Sequence, residues 1–543
     1  MRLTRFKSLR IKPTIVKAIG IKTFAWFIFL LMCINNEGFS WGNREEQRSA
    51  ANKPGTAAQE LPLVRERVTL EYFMANHKTK PYTAEDLTIA ELQRRTNIYF
   101  KIISIDSGYW DKYRVMLASN NMPDLVFTTV SDAKRYGIDG LFIPLDELLE
   151  RHGSNILRAI EEEGIEDDMR ALDGKIYFFP KISLQQPEPF MVRQDWLEKY
   201  DLEIPQTLED FYNMLHVFKE KDPAGNGQTI PYGSHIFNDP SICYLNAFYR
   251  AFTVDKDFML KGDRMVWAPA QVEMKQAMKY LNRLYSEGLL DNEAPILAKK
   301  QWEEQVSAGR VGMIVYSSVR TDYFTRIFQE TDPGARMVGI PPPTGIDDKK
   351  HVALIPRFST DFCMAVTKDS AHAELIVQFF DYVFSPEGRM IVSYGVEGDT
   401  YEMLDGKPVF TEKMYRNEAG WNMFVKAAIG GRRIACWPYD DAMIQQLRGT
   451  LSLKALEVTW PYVDPPTPIL NFDRDELNII EATYSGLKDK TDDYLLKFLI
   501  GELSVDTSWD DYIAELKRIG LDELEEAYNN AYTRRYQQAF IKK

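Results

Sequence analysis

The chain has 543 residues, 45% of them hydrophobic and 27% charged, enough for two or three domains with large cores. It carries 66 Lys and Arg against 79 Asp and Glu, and its first forty residues hold seven of the basic residues and one of the acidic ones. The remainder therefore carries 59 against 78, a net charge of −19. That excludes nucleic acid, and an anionic ligand held by bulk field, because both need positive potential. Cys33, Cys243, Cys363 and Cys436 show no CxxC spacing, which excludes a disulfide framework and a cysteine zinc site. They read as free thiols, with one bridge among the last three left open.

Arg2, Arg5, Lys7, Arg10, Lys12, Lys17 and Lys22 precede the apolar run Thr23 to Ile34. A basic start before a dozen apolar residues is a signal-peptide pattern, too short for a membrane span of about 20 residues. Residues 1–40 read as that signal and 41–61 as a flexible tether. Val68 to Ala75, VTLEYFMA, is the first core strand and ends in Asn76-His77. A helix over 84–96, a strand over 98–105, a helix over 110–118 and a strand over 125–130 follow. Strands alternating with helices mean parallel βαβ units. Ligands of such sheets sit at the carboxyl ends of strands, which places Asn76, His77, Asp124 and Thr128 near a cleft.

Asp173-Gly174 is a turn leading into Lys175 to Phe179, a strand stopped by Pro180. Ser183 to Pro189, with two prolines and no periodicity, reads as a crossing between lobes. Beyond it come Arg193-Gln194-Asp195-Trp196-Leu197, then Pro205-Gln206-Thr207, then Phe218-Lys219-Glu220-Lys221-Asp222-Pro223 running into Gly225-Asn226-Gly227. Thr207 caps a helix, with Asp210 three positions on as its capping partner. Met274, Met278, Leu281 and Tyr285 make a core-facing stripe. Gly312 to Ser317, GMIVYSS with Ser318, is a buried strand opening at Tyr316 into a polar end. Ile340-Pro341-Pro342-Pro343 to Phe358 is proline-rich and returns the chain to the first lobe. A strand over 362–368, a helix over 371–384 and a further helix from Ser385 lead to Tyr394-Gly395-Val396-Glu397-Gly398-Asp399-Thr400-Tyr401. Beyond Lys407 the chain is helical.

The strings at Arg193, at Leu284-Tyr285-Ser286-Glu287-Gly288, at Tyr394 and at Ile513 to Tyr532, together with the turn Leu117 to Val126, resemble extracellular solute-binding proteins of ABC importers, in the large family that captures oligosaccharides. The resemblance covers Leu117 to Tyr536. It implies an α/β fold of the periplasmic-binding-protein type 2 class: two lobes with mixed sheets flanked by helices, and a helix-rich C-terminal part. Lobe 1 is expected over 62–184 plus 354–404, and lobe 2 over 188–350 plus 405–543. Members are commonly lipoproteins anchored through a cysteine after a small residue. Here Met32 precedes Cys33, while Gly38-Phe39-Ser40 offers an ordinary cleavage point, and both routes of export stay open. Asp222 to Thr229 resembles the family's calcium loop, where oxygens at alternate positions suit a hard cation. Ala224 replaces an acid and Ile230-Pro231 arrives directly, so the expectation is a structural turn without metal, Asp222, Asn226 and Gln228 being the remaining candidate ligands for Ca2+.

A sugar presents apolar ring faces and hydroxyl edges, so its site needs aromatic platforms and planar polar partners. Trp437, beside Pro438-Tyr439-Asp440-Asp441, is the platform candidate. Glu397 lies between glycines, as backbone approaching a ligand requires, and the resemblance places this loop at the cleft with Tyr401. Arg193 and Asp195 read either as ligand contacts or as a structural ion pair. Tyr316, Asn76, His77, Asp124 and Arg357 are placed by strand-end position. The expected function is a non-enzymatic, monomeric protein at the cell exterior, tethered if Cys33 is lipidated, that delivers an oligosaccharide to an ABC permease. A secreted glycoside hydrolase needs two carboxylates about 5–10 Å apart, and no such pair stands out. The six histidines form no HExxH and there is no GxSxG. A ligand-sensing partner of a surface receptor would use the same fold.

Overall fold

VTLEYFMA alternates over its first four residues and then runs apolar from Tyr72, as suits a strand whose second half is covered on both faces. Leu70, Tyr72, Phe73 and Met74 are buried in it. A computed structural model describes residues 60–76, 86–119, 121–182, 186–235, 246–355, 358, 362–415, 440, 442–443, 446 and 448–541, all within the unit Gln59–Lys543. His77, Arg357, Trp437 and Cys33 lie outside the described residues. In chain order the elements used below begin with β1 (Val68–Ala75), α1 (Leu87–Thr96), β2 (Ile98–Ile105), β3 (Leu125–Thr128) and α2 (Val130–Ile138). Next come β4 (Gln186–Pro187), β5 (Phe190–Arg193), α3 (Leu208–Lys221), β6 (Ile230–Tyr232), β7 (Phe258–Lys261), β8 (Arg264–Trp267), α4 (Val272–Ser286), α5 (Lys299–Ser307), β9 (Val311–Val315), α6 (Val319–Phe328) and β10 (Met337–Ile340). Then follow β11 (Leu354–Ile355), β12 (Cys363–Val366), α7 (Ala373–Phe384), α8 (Pro386–Tyr394), β13 (Tyr401–Leu404), β14 (Lys407–Phe410), α9 (Thr450–Thr459), α10 (Arg474–Ile500), α11 (Val505–Ile519) and α12 (Leu521–Ile541). Among the described residues no helix is long and apolar enough to cross a membrane.

Sheet one has the order β12-β3-β1-β2. β1 runs parallel to β2, from Val68 opposite Ile98 to Ala75 opposite Ile105, and parallel to β3, while β12 is antiparallel to β3. Sheet two has the order β10-β5-β9-β6. There β6 and β9 are parallel, and β5 lies antiparallel between β10 and β9. The expected strand over 175–179 reduces to a single bridge from Phe179 to Met364. Each sheet has its own apolar core. Sheet one packs with Ile156, Ile160, Phe379, Phe380 and Val383. Sheet two packs with Phe211, Phe218, Met278, Leu281 and Trp302, and with Leu487, Phe498, Trp509, Tyr512 and Leu516 of the C-terminal helices.

The two cores are joined through a narrow ribbon. Ile182 bridges Phe358, and β4 pairs with β11. β5 and β10 both meet this ribbon at one edge, because Phe190 faces both Ile340 and Val315. The boundary expected at 404/405 falls in the turn of the β13–β14 hairpin, and that hairpin stays with α8: the ring of Tyr394 lies 5.2 Å from that of Phe410, and Thr411 donates to the Thr400 carbonyl. α9 then packs on β10 so closely that a Cβ on Gly339 would stand 2.4 Å from Ala455 Cβ and 2.5 Å from its Cα. The second crossing is pinned by His351, whose Nδ1 is 2.8 Å from Asp464 Oδ1 and whose Nε2 is 3.1 Å from Asp347 Oδ2.

α3 opens on the expected capping box, Thr207 accepting from the Asp210 N–H and Asp210 from that of Thr207. It ends on Asp222, and the loop that resembles a calcium site closes on this one carboxylate. Gly227 N–H donates to Oδ2 at 2.6 Å, and Thr229 gives both its N–H (3.1 Å) and its hydroxyl (2.7 Å) to Oδ1. These donors, the Thr229 hydroxyl first, hold the carboxyl below its usual range. N–H groups converging on a carboxylate are the inverse of a cation cradle, and Ala224 offers no side-chain oxygen, so the residues do not fit a calcium ion.

Three outcomes follow from this packing. Gly339→Ala should cost about 1–3 kcal/mol through overpacking, read as a fall in Tm; an unchanged Tm would mean that α9 is not seated on β10. Burial alone would pull His351 down, but hydrogen bonds and charges from Asp464 and Asp347 outweigh it and raise its pKa. Its stabilisation is therefore present below the unfolded value of about 6.5 and lost as pH rises through the folded value. The Tm gap between the parent and His351→Gln should be widest near about pH 5.5 and narrow by about pH 9; a gap independent of pH contradicts the pairing. A chelator should leave the parent's Tm unchanged, and Asp222→Ala should lower Tm equally with and without it.

Candidate functional site

Because β6 and β9 are parallel, their carboxyl ends open at one edge of sheet two. Tyr232 passes into Gly233-Ser234-His235, and Val315 passes into Tyr316-Ser317-Ser318 at the start of α6. Antiparallel β5 enters at this same edge, so Glu188, two residues before Phe190, belongs to it. The Tyr316 ring stacks on Trp302 of α5 at 5.1 Å and 25°, and the His235 ring lies 5.0 Å from that of Trp302. Lys299 and Arg320 stand 5.3 and 5.4 Å from the Tyr316 ring centre, and Arg320 also donates to Glu303 at 2.5 Å.

Hydrogen-bonding capacity is left over here. Ser234 and Ser318 are 1% and 0% exposed, yet neither hydroxyl has a partner among the described residues. A buried hydroxyl left unpaired is costly, and sites that fold with spare polar groups beside an aromatic ring are the usual form of a small-molecule site. Glu188 is half-buried between two prolines. Desolvation pushes its carboxyl up to about 7, against the opposing charges of Lys256 and Lys299. The edge thus offers an aromatic face, two hydroxyls and one carboxyl, all suited to hydrogen-bonding a neutral polar molecule. On sheet one the corresponding edge holds Asn76, which donates to Asp106 Oδ1 at 2.6 Å, and Thr128, bonded to the Tyr113 hydroxyl at 2.6 Å.

The other candidates lie elsewhere. Asp124 precedes β3 and so stands at the amino end of that strand, where it accepts from Glu71 N–H (2.9 Å) and the Ser370 hydroxyl (2.6 Å); strand-end placement does not apply to it. Arg193 ends an antiparallel strand and lies at the edge of sheet two away from Tyr316. It is bidentate to Asp195 at 2.8 and 2.6 Å, donates to the Gly309 carbonyl at 3.1 Å, and sits over Trp196 and Phe328. Glu397 is exposed and Tyr401 buried, side by side through a β-bridge. Burial, then the Glu397 charge, raises the Tyr401 hydroxyl pKa, and Arg95 and Glu91 of α1 also act on it. The flanking glycines serve the turn: Gly395 has φ +89°, and a Cβ there would meet Thr400 Oγ1 at 2.4 Å. The Thr400 hydroxyl in turn donates to the Tyr394 carbonyl.

Of the side chains at this edge, sequence reasoning singled out Tyr316 but not Ser234, Ser318, Trp302 or Glu188. The strand Ile230–Tyr232 is only three residues long, too short for a period-2 pattern, so the serine after it carries no signal. Glu188 was legible as the one ionisable residue in a proline-bounded crossing.

A family model described as bacterial extracellular solute-binding protein matches residues 75–390. The chain is 23% identical over 501 residues to the fructooligosaccharide ABC transporter substrate-binding protein FusA of Streptococcus pneumoniae serotype 4, covering 85% of this chain and 89% of that protein. It is 24% identical over 347 residues to lipoprotein LipO of Bacillus subtilis strain 168, covering 61% and 67%. Among solved structures, the alginate-binding protein AlgQ2 without calcium ion superposes with a TM-score of 0.76 at 23% identity, covering 87% of this chain and 99% of that one. FusA in complex with kestose superposes at 0.71 and 20% identity, covering 87% and 100%. Two mixed-sheet cores joined by a ribbon, with matching sequence across more than half its length, make this chain a member of the bacterial extracellular solute-binding proteins.

Proposed function

We propose that this chain is the ligand-capturing component of an ABC importer and that it holds an oligosaccharide between the carboxyl edges of its two sheets. The observation that carries this reading is the edge of sheet two, where the buried Ser234 and Ser318 hydroxyls, with no partner among the described residues, share the edge with the Tyr316–Trp302 stack. A sugar ring lies on an aromatic face while its hydroxyls take up such donors and acceptors. Asn76 faces the ligand from sheet one in this reading. The names of FusA, a fructooligosaccharide-binding component, and of YtcQ from Bacillus subtilis, a polygalacturonan/rhamnogalacturonan-binding protein, support the substrate class. Residues 1–40 direct export, and the closed form docks on the permease without chemical change to the sugar.

Thermal unfolding with a panel of fructo-, galacturono- and gluco-oligosaccharides tests this. One class should raise Tm with concentration as mass action requires, and chromatography should recover the sugar intact. Tyr316→Ala and Ser318→Ala should each weaken that shift, the former by at least about tenfold in Kd, or 1.4 kcal/mol. Release of shorter sugars would overturn the reading in favour of a hydrolase.

A further inference from the structure

Besides the backbone ribbon, the two cores meet at a second place. The segment 464–473 leaves the crossing, where Asp464 N–H donates to the Val352 carbonyl at 2.9 Å, and ends at Asp473, the N-cap of α10. Between these points Ile469 packs against the core of sheet one, and Leu470 against that of sheet two. Asn471 then reaches into the first lobe. Its Oδ1 accepts from Lys134 of α2, and its Nδ2 donates to the Arg170 carbonyl at 2.9 Å.

α12 clamps this segment from the other side. Arg534 donates to the Asn471 carbonyl at 2.8 Å and pairs with Asp473 and Glu476. Arg535 donates to the Ile469 carbonyl and pairs with Asp168 of the first lobe at 2.7 Å. Arg135 of α2 pairs with Glu481 of α10. α12 is itself fixed to the second lobe. Glu525 accepts from Trp267 N–H at 2.9 Å, Asn529 brackets Met265, and Tyr528 stacks on Phe258 at 3.5 Å. Lys134–Asn471, Asn471–Arg170, Arg535–Asp168 and Arg135–Glu481 thus link the lobes outside the ribbon.

We propose that segment 464–473, clamped by Arg534 and Arg535, is a strap that restrains opening of the two lobes and so raises the share of closed molecules before ligand arrives. Its functional meaning rests on the ligand-capture reading above. Beside the apolar Ile469 and Leu470, the side-chain links of the strap to the first lobe are polar, which suits a device that must release. Lys134 is 8% exposed, and its ammonium is pulled down to about 8, desolvation being the largest cause. Opening would return it to water, so hydration offsets part of what the broken contacts lose. An apolar seal of the same size would have no such offset. Where only a fraction of molecules is competent, the apparent Kd rises by the inverse of that fraction. A strap that enlarges the fraction tightens binding without touching the sugar.

Small-angle X-ray scattering of the ligand-free chain tests this directly. Asn471→Ala combined with Arg535→Met should enlarge the radius of gyration and speed hydrogen exchange across Val130–Ile138, with the circular dichroism of the parent retained. Should that variant fold poorly, Arg135→Gln with Glu481→Gln removes a surface pair and should shift scattering the same way by less. Unchanged scattering from a folded variant overturns the strap. The panel sugar that stabilises the parent should bind the strap variant more weakly, with kinetics weighted to faster release. If no sugar stabilises the parent while scattering shifts, the strap stands and the ligand-capture reading fails.

Discussion

The antiparallel insertion of β5 between β10 and β9 governs the rest of the architecture. Its register sets Phe190 opposite both Val315 and Ile340. The chain therefore enters and leaves the second lobe at the edge where β6 and β9 also finish. The joint and the Tyr316–Trp302 stack therefore share one edge of sheet two. Proline suits this ribbon because it fixes φ and gives up ladder hydrogen bonds, and Pro187 and Pro189 flank the only acid there.

How far the sequence could be read follows from what a strand pattern encodes. Hydrophobic runs located the strands at Val68, Ile98, Leu125 and Gly312 to within a residue or two of their observed starts, and the capping box at Thr207 was legible from two side chains. A run of apolar residues does not encode direction. Arg193 closes a strand and Tyr316 follows one, but β5 points the other way, and the two residues lie at opposite edges of one sheet. Asp124 shows the complementary limit, since it stands before its strand. Glycine flanks answer two needs alike: beside Glu397 they accompany a tight turn closed by Thr400, a need as local as any ligand's. Ser234 and Ser318 acquire meaning only through burial, which depends on helices and strands distant in sequence.

Charge is handled differently at each level of the molecule. Two cations turned inward have neighbours: Arg193 has Asp195 and two aromatic faces, and Arg320 has Glu303 and the Tyr316 ring. Such pairs set orientation more than stability, because desolvation offsets much of the attraction. Their value here is geometric: each holds an element at a fixed angle beside a sheet edge.

Asp222 shows how a loop becomes independent of its medium. With both carboxylate oxygens taken by the loop's own N–H and hydroxyl groups, the turn after α3 needs no partner beyond seven residues of chain. The start of β6 is thereby tied to the end of α3 through a single side chain.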